Sequence, residues 1–398
     1  MTVGTRFDRL GAEVAGRRGG LLSLALKTTA LTVATAGGYS FWARTRQRRW
    51  LWSSLSVGGA PFEYRGEPLE KLMGFVVAAL IVAGYLGLVV MVLVWLSFQL
   101  IHQAWAGLVA AALLVLPVYW FATYRGLRYL LNHTHWRGIG FSLVPGAWGY
   151  AGRTALWTMG CLATAGLLWP LRTHALWRYR VDRARWGGLA LRHEGGARDL
   201  WAPFLPAWIV AWAGAGATWL IAVRGDVERA GPFAFLAVIC VALLWLRWRV
   251  RSTEILWSGV RAGEARLTLS LRYGRVLGIQ LLGWLIVAGL MLSIVIAVLL
   301  GYGTVIFAVA VSIGTEGQSI VGPNAYLVAA ITAAIYLCVF LLRGAFRLAF
   351  VTLPLLRHAG EGLRIEGAAG LHHVHAAPRA HMADADGFAN LFDMGSSI

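Results

Sequence analysis

The sequence has few acidic residues and almost no lysine, and two long stretches carry no charge at all. Asp and Glu together number 18 of 398 residues, and Lys27 and Lys71 are the only lysines. No charged residue occurs in 72–124 or in 276–315. A soluble domain usually has about 25% charged residues, whereas a membrane-spanning helix needs about 20 predominantly apolar ones. The sequence therefore predicts an integral membrane protein.

Cysteine is also scarce, and the motifs of common enzymes are missing. Cys161, Cys240 and Cys338 are isolated within apolar segments, which predicts neither a disulfide framework nor a metal site. The chain has no Walker loop, Rossmann fingerprint, HExxH or GxSxG motif. We predict no enzyme activity, no catalytic residue, no cofactor and no metal. The histidines within 372–381 are interpreted as part of a disordered tail with incidental metal affinity.

Positive charge is abundant, since the formal net charge is +18 although 58% of the residues are hydrophobic. The arginines flank the apolar segments, where they orient a membrane protein and contact anionic headgroups. A basic module separate from these segments is missing, so no nucleic-acid partner is predicted. The predicted partners are the bilayer and its anionic lipids, while protein partners and oligomeric state are left open.

Eight apolar segments are present, and the distribution of arginine indicates which of them cross the membrane. If 21–41 and 154–171 enter the bilayer and return on the same side, the outer loops hold only Arg224 and Arg229 as basic residues. Because positive residues favour the cytoplasmic side, this predicts cytoplasmic termini and two re-entrant or interfacial helices. Eight ordinary spans are the alternative. The six predicted spans form three hairpins at 72–98, 104–123, 202–223, 231–248, 276–300 and 325–345.

An internal repeat links the two re-entrant segments. Residues 35–62 align with 164–191 without a gap, and both begin Thr-Ala-Gly. Weaker copies occur at 129–141, 255–267 and 350–365. Each copy has glycines between two alternating runs, which is typical of a β-hairpin. We predict an all-α polytopic membrane protein with short cytoplasmic β-hairpins against the helix ends.

The repeat also predicts the organisation of the chain into five parts. They are a cytoplasmic N-terminal segment, two membrane repeat units, a third helical hairpin with the last motif copy, and a flexible cytoplasmic tail. Their predicted bounds are 1–20, 21–150, 151–270, 271–365 and 366–398.

The first repeat copy resembles a known bacterial family. Its matching residues are Thr35, Gly38, Tyr39, Trp42, Ala43, the basic cluster from Arg44 to Arg49, Gly58, Gly59 and Phe62. This pattern is similar to that of the YjgN-like inner-membrane proteins, whose function is unknown. A proline common in that family before the tryptophan is replaced here by Phe41, although Pro170 occupies that column in the second copy. The resemblance implies the bacterial inner membrane and supplies no activity.

Candidate binding residues are the charge inside an apolar segment and the basic and aromatic residues of the two copies. Lys27 either binds an anion in a cavity or extends its stem to the membrane surface. Two functions are open: a transporter or permease for a neutral solute or lipid, or a non-transporting protein that binds anionic lipids or a partner through its basic face. The candidates for substrate or lipid binding are Lys27, Trp42, Arg44, Arg46, Arg49, Arg178, Arg180, Arg183 and Arg185.

Overall fold

A computed structural model describes residues 9–102, 104–316 and 323–375 of the chain. Most of the predicted cytoplasmic tail, from residue 376 onward, lies outside the described residues, as does the chain before residue 9. The structure consists of two compact units. The first contains Ser56–Tyr273 with the segments up to Ala12 and from Glu361, and the second contains Glu13–Leu55 and Gly274–Gly360.

Eleven α-helices and ten strands occur in the described part of the chain. The helices are α1 (Arg18–Ala34), α2 (Ser40–Ser54), α3 (Pro68–Ile101), α4 (Ala104–Asn132), α5 (Ala147–Ala163), α6 (Trp169–Val181), α7 (Trp201–Val223), α8 (Val227–Ser258), α9 (Tyr273–Glu316), α10 (Pro323–Arg347) and α11 (Leu353–Gly362). The strands are β1 (Arg9–Val14), β2 (Leu55–Val57), β3 (Ala60–Tyr64), β4 (Thr134–Trp136), β5 (Ile139–Leu143), β6 (Ala184–Trp186), β7 (Leu189–His193), β8 (Val260–Ala262), β9 (Ala265–Leu269) and β10 (Leu363–Glu366).

Six helical stretches in the described residues are long and apolar enough to cross a membrane. Five lie in α3, α4, α7, α8 and α9, and the sixth runs from Ile335 to Gly362. Each is at least 27 residues long, which exceeds the roughly 20 residues that a bilayer requires. The two segments predicted to be re-entrant contribute no such stretch. In each of them the chain forms two shorter helices joined by a turn.

The ten strands form one closed antiparallel barrel in the order β1-β10-β9-β8-β7-β6-β5-β4-β3-β2. Four tight hairpins supply eight of the strands, and the first residue of each turn has a positive φ: Gly58, Arg137, Gly187 and Gly263. Positive φ is the conformation that glycine adopts without steric cost, which explains the glycines of the repeat. The first and last strands complete the circle, with Leu10 opposite Ile365.

Aromatic rings pack inside the barrel. Phe62 lies opposite Trp136 on neighbouring strands, and Phe141 lies opposite Trp186. The two tryptophan rings are 4.8 Å apart, and both side chains are almost fully buried. This part of the interior is therefore a packed hydrophobic core, which stabilises strands that are each only three to six residues long.

At the end of three helices, a polar side chain accepts a hydrogen bond from the last residue of the β-hairpin that follows. Asn132 Oδ1, Asp182 Oδ1 and Ser258 Oγ each accept a backbone N–H from the last residue of the second strand, at 3.2, 2.9 and 3.1 Å. These bonds satisfy N–H groups where the barrel ladder ends. Helix and hairpin are thus joined in the same way after α4, α6 and α8.

Both Thr-Ala-Gly turns have the same hydrogen bonds. Thr35 Oγ1 donates to the Leu31 carbonyl and accepts the Tyr39 N–H, both at 2.9 Å. Thr164 makes the equivalent bonds in the second turn. The alanine that follows each threonine has a positive φ, near 50°, and glycine continues the reversal. A single hydroxyl therefore connects the end of one helix to the start of the next.

Helices α1 and α2 pack with the C-terminal helices in the core of the second unit. Leu21, Leu51 and Leu353 form one buried cluster. Val287, Phe346 and Val351 form another. The buried face of α1 also holds threonines, and Gln47 Nε2 donates to Thr28 Oγ1 at 3.0 Å.

The predicted all-α fold class is wrong, because the ten strands close into a barrel. The sequence signals of each hairpin are local, but the pairing between hairpins joins strands that are far apart in sequence. Closure also uses β1 and β10, which have no hairpin turn between them. A barrel removes the open sheet edges that separate hairpins would leave exposed.

Candidate functional site

The hairpin of α5 and α6 reaches the middle of a membrane-spanning helix. The carbonyl of Ala165, at the tip of the hairpin, accepts the indole N–H groups of Trp208 and Trp212 at 2.9 and 3.0 Å. These tryptophans lie near the centre of α7. Backbone at membrane depth needs such partners, since lipid offers no hydrogen bonds. Both ends of this helical hairpin continue into barrel strands, β5 before α5 and β6 after α6.

A groove runs between α6 and α8, beside the start of α7. We call it the tryptophan groove. Its inner section has a volume of about 180 Å³ and only apolar residues around it. The residues are Gly166, Trp169, Phe204, Ala207, Trp208, Ala211, Val241 and Trp245. Trp169 and Trp245 face each other at 5.8 Å between ring centroids.

The outer section of the tryptophan groove combines apolar residues with one arginine and three hydroxyl side chains. It has a volume of about 200 Å³ and is lined by Thr173, Trp177, Trp248, Arg249, Ser252, Thr253, Leu256 and Trp257. It adjoins the inner section where the rings of Trp245 and Trp248 lie 4.7 Å apart. Each section is smaller than the roughly 300–1,000 Å³ of a drug-sized pocket.

The two sections follow one another along α8. Val241 and Leu256 are about 22 Å apart along this helix, at 1.5 Å per residue. The outer section lies toward Ser258, where α8 joins the barrel, and the inner section lies farther from the barrel. The polar side chains of the groove are therefore at its end near the barrel.

The polar groups of the outer section can bind an anion that also carries hydroxyl groups. Thr173, Ser252 and Thr253 each donate their hydroxyl hydrogen to a carbonyl of their own helix, at 2.9, 3.1 and 2.7 Å. Their oxygens are left as acceptors. Arg249 is exposed, and none of the ion pairs found in 9–102, 104–316 and 323–375 involves it.

The predicted arginines of the second repeat copy lie around α6, outside the groove lining. Arg178 Nε is 3.3 Å from Asp182 Oδ2. Arg180 lies 5.5 Å from the ring of Trp177, and Arg183 lies 3.7 Å from the ring of Tyr179. These contacts fix the arginines on aromatic faces. Arg180 is the one that comes nearest to the tryptophan groove, through Trp177.

Arg185 and the candidates of the first copy are placed differently. Arg185 is exposed on barrel strand β6. Lys27 is exposed on α1, while the neighbouring threonines are buried. Trp42 stacks on Tyr39, with ring centroids 6.1 Å apart, and Arg46 lies 5.6 Å from the ring of Tyr39.

Arg44 is half-buried and Arg49 is exposed, both on α2. All five candidates before residue 50 belong to the second unit, namely Lys27, Trp42, Arg44, Arg46 and Arg49. The other four belong to the first unit, namely Arg178, Arg180, Arg183 and Arg185. The binding role predicted for this set stays a prediction.

One histidine beside α6 has a shifted pKa. His193, at the end of β7, is buried, and its ring centroid is 5.2 Å from that of His174. Burial lowers the pKa of His193 below its ordinary value, and the neighbouring His174 adds to this effect, while Asp182 opposes it. The neutral ring is therefore the form that this joint between helix and strand favours.

The groove residues on α8 were missed by sequence reasoning. Trp248, Arg249 and Ser252 are close in sequence, but they line the outer section together with Thr173 of α6, which lies 75 to 79 positions earlier. Tryptophan and arginine at a helix end are ordinary membrane-surface anchors, so the pattern alone indicated nothing further. A weak signal was present in the hydroxyl residues that follow the arginines.

The six long apolar helical stretches are the feature of a multi-span membrane protein. The chain belongs to a family of bacterial proteins of unknown function (DUF898), whose model matches residues 12–289. The resemblance to the YjgN-like family is thereby confirmed, because the two are the same family. Comparison with curated proteins and with solved structures found no match.

Proposed function

We propose that this protein binds one anionic, lipid-like amphiphile in the tryptophan groove. The observation that carries the proposal is the change of lining along α8, from a section with only apolar residues to one that also contains Arg249 and three hydroxyl groups. An acyl chain placed in the apolar section loses its contact with water and packs against tryptophan rings. The phosphate of the headgroup then lies within reach of the Arg249 guanidinium, which forms no ion pair within the part of the chain that the structure describes.

The hydroxyl oxygens of the outer section narrow the class of headgroup. Thr173 and Thr253 offer acceptors, so a headgroup with its own hydroxyl donors gains hydrogen bonds there. A phosphoglycerol or phosphosugar headgroup meets this requirement, whereas phosphocholine has no hydroxyl to donate. We therefore expect selectivity for anionic glycerol or sugar phospholipids.

We further propose that the protein lies in the bacterial inner membrane with its barrel and both termini in the cytoplasm. The supporting observation is that the end of α7 and α8 away from the barrel has only two basic residues, Arg224 and Arg229, and that Asp226 and Glu228 lie beside them. Arginine is much more frequent near the barrel, and positive charge favours the cytoplasmic side. A reporter fused within 194–196 should read cytoplasmic, and a periplasmic reading would contradict this orientation.

Binding of a lipid is also the first step of lipid transport, but the structure favours a binding role over conduction through the barrel. The rings of Trp136 and Trp186 fill part of the barrel interior. A lipid would have to leave the groove sideways, into the bilayer from which it came. We propose lipid binding as the activity, with transport as a function that would need a second site.

Native mass spectrometry of the protein in mild detergent tests this proposal. We expect one tightly retained phosphatidylglycerol-like lipid per chain. The Arg249→Gln substitution should reduce its retention about tenfold, since a charged hydrogen bond contributes about 1.5–3 kcal/mol. The matched control is Arg247→Gln, an exposed arginine on the same helix that does not line the groove.

Filling the apolar section provides an independent variant. Ala211→Phe places a ring in the space of the acyl chain, while Ala213→Phe adds the same ring at an exposed position outside the lining. We expect lipid loss in the first variant and retention in the second. Equal retention in all four variants, or selectivity for phosphatidylcholine, would overturn the proposal.

A further inference from the structure

Arginines lie side by side on the outer face of the barrel, in the first unit. Arg192 of β7 is directly opposite Arg261 of β8, which is directly opposite Arg266 of β9. Arg185 of β6 is opposite Ala190, which shares a face of β7 with Arg192 because side chains alternate along a strand. We call Arg185, Arg192, Arg261 and Arg266 the arginine row. Like charges directly opposite each other destabilise a sheet, so the row needs an explanation other than stability.

Carboxylates neutralise only part of this row. Glu194 pairs with Arg261, whose Nε lies 2.8 Å from its Oε2. Glu366 is opposite Arg266 in the ladder. Among the described residues, Arg185, Arg192 and Arg266 form no ion pair, and all three are exposed. Three guanidinium groups are thus available on β6, β7 and β9, and β8 with the paired Arg261 lies between the last two. Neighbouring strands are about 5 Å apart.

The arginine row lies beyond the lipid headgroups. The apolar part of α8 ends at Leu246, and the helix continues to Ser258. These 12 residues extend about 18 Å at 1.5 Å per residue, and the strand that carries Arg261 follows. A headgroup layer is only about 5–7 Å thick on each side of the hydrocarbon core. The row therefore faces water, out of reach of the bilayer that holds the helices.

The neighbours of the row indicate the chemistry of a partner. The outward positions beside it are small or polar, namely Ser142, Ala190 and Thr268, so nucleobases have no aromatic platform on which to stack. Glu194 and Glu366 interrupt the positive field, which disfavours a continuous polyphosphate. The planar fork of arginine matches single carboxylates in a bidentate geometry. We infer that the arginine row docks an acidic segment of a soluble partner protein.

Fluorescence anisotropy with the full-length protein in detergent tests this inference. The probe is a labelled 12-residue peptide of alternating glutamate and serine. Neutralising Arg185, Arg192 and Arg266 together by glutamine should weaken its binding at least about tenfold, since each exposed pair contributes up to about fivefold. The control replaces three exposed arginines outside the row by glutamine, with the same change in net charge: Arg198, Arg224 and Arg247.

The control should change the peptide's Kd by less than about twofold. Removing mutual repulsion should leave the melting temperature of the row variant at or above that of the parent, which shows that lost binding is not lost folding. When the same three arginines are replaced by glutamate, the variant should no longer bind the acidic peptide and should bind a lysine-serine peptide instead. Equal weakening by the row and control variants would overturn the inference, as would a 12-nucleotide single strand or phosphatidylglycerol vesicles binding through the row more tightly than the peptide.

Discussion

Replacing Asp182 by alanine should destabilise the first unit by about 1–3 kcal/mol, the cost of leaving a buried N–H without a partner. Its Oδ1 accepts the backbone N–H of His193 at 2.9 Å, at the point where β7 leaves the barrel. Its Oδ2 also lies 3.3 Å from Arg178, but this ion pair is exposed and contributes only about 0–1 kcal/mol. The hydrogen bond to the strand, not the ion pair, should therefore dominate the effect.

Two further substitutions separate these contributions. Asp182→Asn keeps the Oδ1 acceptor and loses the charge, so it should cost less than about 1 kcal/mol, as should Arg178→Gln. Thermal unfolding in detergent, followed by tryptophan fluorescence, should show the alanine variant melting about 2–12 °C below the parent. If Asp182→Asn or Arg178→Gln lowered the melting temperature as much as Asp182→Ala, the ion pair would be the stabilising contact and the reasoning would be refuted.

Two other predictions concern the barrel. Gly187→Ala should destabilise the folded protein more than Gly263→Ala does. Both substitutions impose a positive φ on alanine, at a cost of about 1–2 kcal/mol. Only at Gly187 does the new Cβ also come within 2.5 Å of the His375 carbonyl oxygen. Equal melting temperatures would contradict this. Because the pKa of His193 is lower in the folded protein than in the unfolded chain, its neutral ring contributes stability that is present above about pH 6.5 and lost as the pH falls toward the lowered pKa. His193→Gln should reduce the drop in melting temperature between pH 7.5 and 5.5, and an unchanged drop would exclude this histidine as its cause.

The sequence predicted the local turns well and the assembly of the barrel poorly. Glycine at Gly58, Gly187 and Gly263 indicates a hairpin because few other residues accept a positive φ. The pairing of β1 with β10 joins residues about 350 positions apart, and no local signal encodes such a contact. We expected the hairpins to form only a small sheet against the helix ends, and the predicted all-α class therefore missed a closed barrel of ten strands.

The candidate site was hidden for a related reason. The sequence directed attention to Lys27 and to the arginines of the repeat copies, such as Arg178. The structure places Lys27 on an exposed helix face and Arg178 in an ion pair. The tryptophan groove depends on α6 and α8 lying side by side. That packing is decided by helix contacts in three dimensions, whereas Arg249 alone has the pattern of a membrane-surface anchor.

Photo-crosslinking with two anionic lipids tests most directly whether one anionic lipid occupies the tryptophan groove. One phosphatidylglycerol carries its reactive group at the end of the acyl chain, and the other carries it on the headgroup. We expect the chain-end probe to label the region of Ala207, Ala211 and Val241. The headgroup probe should label the region of Arg249 and Thr253. Both labels should be lost in Ala211→Phe. Both probes could instead label the lipid-facing helices evenly, with no change in the Ala211→Phe variant. That result would contradict a specific site in the tryptophan groove.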